Sequence, residues 1–330
     1  MTSGATWGLW LEPLLPSSEL AALAKEAEDA GASHVFVADE GTERDLFVVM
    51  AVIAQATSRV GIGAGVTNPF TRHPVALAAA FATLAELAPG RIVAGFGTGG
   101  SRTLAPMGLE PARPYSALVE CLDVVEQLLA DKEVDFHGEF SVRGARLAWS
   151  PGPLPIATAG RGPKVERLGA TRADWILLSG KPVDVVPKVC ADIREVGAAA
   201  GNVPRIAWSS YIGWDKATLD EVRPHFTYIA TDMPADLRRA AGIDDQTAER
   251  VRVIMLKEGM EAAARLVPQA VVQRYAVVAD RDRTVAELSR IREEARPDMF
   301  LLPVNDYARA GEFIHSAAGI LMEAGFEESR

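Results

Sequence analysis

Short apolar runs in which polar and apolar positions do not alternate recur along the whole chain. They lie at 7–11 (WGLWL), 34–38 (HVFVA), 60–64 (VGIGA), 91–97 (RIVAGFG), 154–160, 174–180, 205–213 and 299–303 (MFLLP). Strands covered on both faces look like this, because neither side-chain direction meets water. Between the runs the apolar spacing turns helical. SSELAALAKEAEDAG starts on serines and stops at Gly31, and PVALAAAFATLAELAPG starts on Pro74 and stops at Pro89-Gly90. Eight strand candidates separated by helices predict a closed parallel α/β (β/α)8 TIM barrel rather than an open sheet.

Two stretches interrupt that plan. Residues 131–153 are punctuated by glycine and alternate in polarity, which predicts a small hairpin-like insertion. Residues 215–298 are long and charged with helical spacing, which predicts a mainly helical insertion near the C-terminus together with the seventh barrel helix. Neither sequence promises much core of its own, so residues 1–330 are expected to form a single barrel domain.

Composition narrows the partners. A net charge of -10 disfavours nucleic acid, which needs a basic face, and leaves small molecules as the expected ligands. The start MTSGATWGLW has no basic patch leading into an apolar core, and no window reaches the length of a membrane span. A cytoplasmic protein is expected. Cys121 and Cys190 fall inside helical patterns far apart and read as small core residues.

In a barrel of this kind the chemistry gathers at the carboxyl ends of the strands, and the unusual residues of this chain sit there. The second run ends in Asp39-Glu40-Gly41, the third in Gly65-Val-Thr-Asn-Pro, and the fourth in Gly97-Thr-Gly-Gly-Ser. The fifth ends in Ala159-Gly-Arg-Gly-Pro-Lys and the sixth in Ser179-Gly-Lys. Each has a plain reading: Gly and Asn make turns, and a carboxylate after a strand caps the next helix. Four glycine-bearing loops on one rim also make a shared site for an anion and a ring.

Familiar nucleotide motifs do not fit. GFGTGG follows a strand, but Pro106, Pro111 and Pro114 come after it, and no helix is expected to open there to receive a pyrophosphate. SGKP lacks the remaining residues of a P-loop, and the five histidines are nowhere paired at metal-ligand spacing, so no metal site is expected.

Taken together, VTNPFTRHP, LAPGRIVAGFGTG, PIATAGRGPKVERLGATRADWILLSGKP and VFVADE resemble the luciferase-like TIM-barrel superfamily, in particular its branch that uses coenzyme F420. The likeness runs over about residues 6–214 and is weak through the helical insertion. It implies a hydride-transferring oxidoreductase acting on a small organic molecule, with F420 as cofactor and FMN as the alternative. It also implies a homodimer. Within the fold, an FMN-dependent monooxygenase is the competing reading; outside it stands a catalytically silent barrel that binds F420 or a partner.

The resemblance also assigns residues. It implies a non-prolyl cis peptide at Gly65–Val66, with Val66 backing the deazaflavin ring. Asp39 and Asn68 match positions at the ring's polar edge, and Thr98 and Gly99 positions around the ring and ribityl chain. Gly160, Gly162, Pro163, Lys164 and Val165 match the loop and helix start that receive the phosphate, where backbone donors suit an anion. Ser179 and Lys181 resemble a substrate-binding loop, although Lys181 also reads as a solvent-facing lysine. The usual proton-handling groups are replaced: Glu40 stands where relatives carry His, Gly100 where a sugar-phosphate dehydrogenase has Glu, and Trp10, on the substrate side, where a pterin reductase has an acid. Glu40 is then the candidate catalytic residue, with solvent as the other proton source.

Overall fold

All eight apolar runs become parallel strands in the computed structural model, which describes residues 4–231, 233 and 235–329. In chain order they are Thr6–Leu11, His34–Val37, Gly61–Ala64, Ile92–Phe96, Ile156–Thr158, Trp175–Leu178, Arg205–Ser209 and Met299–Pro303. Each pairs with the next, and the eighth closes on the first. The helices between them pack outside, around a core that holds the outward residues of the strands.

The third strand shows how the inside is filled. Ile62 and Ala64 belong to the outer core, while Gly61 and Gly63 turn inward. A Cβ on Gly61 would lie 2.4 Å from the His34 ring and one on Gly63 2.3 Å from the Phe36 ring. Missing side chains on one strand thus make room for rings from its neighbour. Above them Phe36, Val93, Ala157, Trp175, Leu177, Ala207, Met299 and Leu301 fill the barrel, with Trp10, Val66 and Ala159 packed against this cluster.

Several boundaries differ from the sequence reading. The run 205–213 leaves the barrel after Ser209, and Ile212–Gly213 pairs instead with Val277–Val278 in a separate two-stranded sheet. One helical turn, Ser101–Leu104, does open after GFGTGG, with the Thr103 and Leu104 amides donating to the Gly100 carbonyl. The hairpin of 131–153 is present as Val134–His137 antiparallel to Ser141–Ala145.

The insertion is helical and buries more than its charges suggest. Val222, Phe226, Ile229, Ile243, Val251, Val271 and Tyr275 form part of an apolar cluster separate from the barrel's. Cys121 and Cys190 are buried free thiols, and burial pushes the first up to about 12 and the second to about 11. Among the described residues, no helix is long and apolar enough to cross a membrane.

Candidate active site

The loop after the third strand is a bulge. Gly63 lies opposite Val93 and Thr67 opposite Phe96, so four steps on one strand face three on the other. The extra residue falls around Gly65–Val66, whose peptide bond is cis. The Thr67 amide then re-enters the ladder at the Gly95 carbonyl (3.0 Å) and the Gly97 amide returns to the Thr67 carbonyl (2.8 Å).

The bulge aims Val66 at the barrel mouth, and the GFG of the fourth strand gives it space. A Cβ on Gly97 would stand 2.8 Å from Val66 Cγ2 and 3.0 Å from the Ala159 carbonyl oxygen, and one on Gly95 1.8 Å from the Ala64 oxygen. These glycines therefore serve close packing. A Cβ on Gly65 would be tight only against Phe36, at 3.1 Å, and in ordinary contact with Trp10, at 3.6 Å. Val66, half-buried, forms a knuckle at the floor of the mouth, grouped with Trp10 and Ala159.

Polar groups surround the knuckle. Asp39, half-buried, accepts a 2.6 Å hydrogen bond from the Thr67 hydroxyl. Burial raises its carboxyl above the ordinary range and Asp45 adds to this, while the Thr67 hydroxyl, Arg72 and the Gly41 amide oppose it. Asn68 is fully buried, and its Oδ1 accepts from the amides of Phe70 (3.0 Å) and Thr71 (3.1 Å). That oxygen holds the turn, so it is not free for the edge of a ring. Glu40 is half-buried beside Asp39. The next helix, Leu46–Ala56, is capped by Asp45, so Glu40 is not its cap.

On the opposite flank Thr98 is half-buried, and Gly99 takes a left-handed φ of 74° where a Cβ would also meet Leu104 at 2.7 Å. Across from it begins the helix Pro163–Arg172, with Gly162 at its N-cap. Val165 and Glu166 both donate to the Gly162 carbonyl (3.1 Å each). Pro163 has no N–H, which leaves the Gly162 and Lys164 amides as first-turn donors without an intrahelical acceptor. Gly162 and Lys164 are exposed, and a Cβ on Gly162 would meet nothing within 4 Å. Gly160 instead lets Val165 pack inward, 2.7 Å from where its Cβ would stand.

Ser179 is half-buried at the end of the sixth strand. Lys181 sits 2.5 Å from Glu166 and donates to the Arg161 carbonyl at 3.3 Å, so it neither faces solvent nor stands unengaged. The contact with Glu166 is an ion pair without hydrogen-bond alignment.

Other residues at this rim escape sequence reasoning. Arg161 stacks on Tyr228 of the insertion at 4.3 Å, and Tyr211 stacks on His225 at 4.4 Å. His225 Nε2 lies 2.8 Å from the Asn305 carbonyl, and Asn305, buried just past the eighth strand, donates to the Ile212 carbonyl at 2.8 Å. The Tyr307 hydroxyl accepts from the Glu12 amide at 2.6 Å. Only Thr67 carried a readable signal, as the hydroxyl inside the Val-Thr-Asn interruption.

Knuckle, acid and anion-ready helix start share one rim, and residues 6–298 match the family described as luciferase-like monooxygenase. The chain belongs to that family. Among curated members it is 28% identical over 254 residues, 74% of this chain and 76% of the relative, to a 5,10-methylenetetrahydromethanopterin reductase of Archaeoglobus fulgidus. It is 36% identical over 179 residues to an F420-dependent glucose-6-phosphate dehydrogenase of Nakamurella multipartita, covering 50% of this chain and 53% of that one. The solved coenzyme F420-dependent tetrahydromethanopterin reductase of Methanopyrus kandleri superposes with a TM-score of 0.86 at 22% identity, over 97% of this chain and 99% of that one. The family fold thus extends through the insertion as well.

Proposed function

We propose that this family member is an F420-dependent oxidoreductase that moves a hydride between the deazaflavin and a small organic substrate. The observation that carries the reading is the Val66 knuckle, cleared by Gly95 and Gly97, rising into the mouth between Trp10 and Ala159. A flat ring leaning on Val66 would keep its other face toward the substrate. The F420-dependent glucose-6-phosphate dehydrogenases among its relatives support the choice of cofactor.

The residues present fit that group. The amides of Gly162 and Lys164 suit its phosphate, and the open space at Gly162, where a Cβ would meet nothing within 4 Å, lets that anion come close to backbone. The deazaflavin supplies a carbon that accepts or releases hydride. Asp39, held by Thr67, orients the ring's polar edge, and Trp10 and Ser179 line the substrate side. Glu40 handles the proton that accompanies the hydride.

We propose a homodimer as well, on the outward faces of the helices Leu46–Ala56 and Pro74–Leu87, where exposed Val48 and Leu87 lie among small residues. A monomeric mass in sedimentation at micromolar concentration would refute it.

Titration of the purified protein with F420 and FMN, followed by absorbance, tests the cofactor. F420 should bind more tightly, and Lys164→Glu should weaken it by at least about 10-fold by setting a negative charge at the anion-binding turn. Tighter binding of FMN, or an unchanged F420 affinity in the variant, would overturn the cofactor or its placement.

A further inference from the structure

The helix Pro163–Arg172 begins with donors for an anion, yet it carries a carboxylate in its first turn, Glu166. Only 18% of the Glu166 side chain is exposed, so water screens its charge poorly. A phosphate at the same helix start would be repelled by it. Lys181 answers that charge at 2.5 Å, from a different strand end, and its own side chain is equally covered at 18%. Its ammonium also donates to the Arg161 carbonyl, inside the loop that leads into the helix. Arg161 is fixed in turn by Tyr228 at 4.3 Å, and Gly180 at φ 66° lets the guanidinium come close, 3.0 Å from where a Cβ would stand.

We propose that Lys181 is a positioning residue for the cofactor's phosphate: it neutralises Glu166 beneath the anion-binding turn and ties down the Arg161 carbonyl, and it is not a ligand for a phosphate on the substrate. The inference rests on the F420 reading above and deepens it. The ion pair and the hydrogen bond of Lys181 are with the helix behind the anion loop and with that loop itself. A lysine spent in this way is not available to an anionic substrate beside Ser179.

The test compares two probes on the whole protein: F420, and the same deazaflavin and ribityl chain lacking the phosphate and tail. Lys181→Met should raise the Kd for F420 by about 10-fold or more and leave the phosphate-free probe within about 2-fold. The double variant Lys181→Met/Glu166→Gln should regain most of the lost affinity, since no buried charge then opposes the phosphate. Lys181→Arg, which keeps the charge, should stay near wild type.

Three results would overturn the proposal. Equal loss for both probes would make the lysine a fold element only. Loss for F420 without rescue in the double variant would make Lys181 a direct phosphate ligand. Unchanged F420 binding in Lys181→Met would return it to the substrate. Wild-type protein that binds FMN and ignores F420 would instead refute the cofactor reading, and FMN against riboflavin would then read the Lys181–Glu166 coupling in its place.

Discussion

Gly97 offers a direct way to disturb the floor of the site. Its φ is not left-handed, so alanine suits the backbone and the only new atom is Cβ. That atom would stand 2.8 Å from Val66 Cγ2 and 3.0 Å from the Ala159 carbonyl oxygen. Both are inside van der Waals contact, and neither Val66, stiff at χ1, nor the strand carbonyl yields easily. Overpacking of this kind costs about 1 to 3 kcal/mol. At roughly 2.1 cal/mol/K of unfolding entropy per residue, a chain of 330 residues should lose about 1 to 4 °C in Tm. Because the strain falls on Val66, F420 affinity should drop too. Val66→Ala removes the clashing methyl, so the double variant should recover part of the stability, with a coupling of about 0.5 kcal/mol or more. Calorimetry and F420 titration on the two singles and the double complete the cycle. Strictly additive effects, or a Gly97→Ala protein with normal Tm and normal affinity, would refute the packing account of the GFG sequence.

His34, held inside the barrel, has its imidazole pushed down to about 4 by burial and by Arg205. The unfolded chain therefore binds a proton between pH 6.5 and 4 that the folded chain does not, and stability should fall by about 2 to 3 kcal/mol as pH drops through that window. Urea unfolding at pH 7 and pH 4.5 should show a smaller fall for His34→Gln; an equal fall in both proteins would clear His34. Burial raises the Glu28 carboxyl, but the amides of Arg59, Val60 and Ser58 and the Arg59 charge outweigh it, leaving it at about 2. All three amides converge on one oxygen at 2.7 to 3.0 Å, so Glu28→Ala should cost about 2 to 4 kcal/mol, with the wild-type contribution lost as pH falls from 4.5 to 2. A change below about 1 kcal/mol by chemical denaturation would count against this account. Glu40→Gln should lower turnover by roughly 100-fold with cofactor affinity retained. Near-normal turnover would assign the proton to solvent.

The strands were legible because a barrel wall buries both faces, and apolar runs such as WILL and MFLLP say so without any partner being known. The inside was less so: the glycines at 61, 63, 95 and 97 fell within or at the end of strand runs, and only the rings, side chains and carbonyls across from them show that they are spacers. The cap of the helix Leu46–Ala56 was not assigned in the sequence reading, which offered the strand-end carboxylates for it; the structure gives that duty to Asp45 and not to Glu40. The fate of Lys181 was not readable, since Glu166 precedes it by a whole strand and the pairing exists only once two strand ends lie side by side. Asn305 was hidden for a similar reason. In sequence it is a polar residue in a Pro-Val-Asn-Asp turn, and its bond to Ile212 spans 93 positions.

The insertion's private apolar cluster has a consequence for how such enzymes diversify. Because Phe226, Ile229, Val251 and Val272 pack on one another, most substitutions among them are answered locally and leave the barrel's folding energy untouched. The seam is made of a small set of joints, including Arg161 on Tyr228, Ser210 on the Tyr275 carbonyl and His225 on the Asn305 carbonyl. Recombination that keeps those joints can exchange the segment between Trp214 and Ala279 for another helical cassette. The wall facing the mouth would then be replaced in one genetic step, and the cofactor's seat would be kept where the new cassette again sets a ring against Arg161.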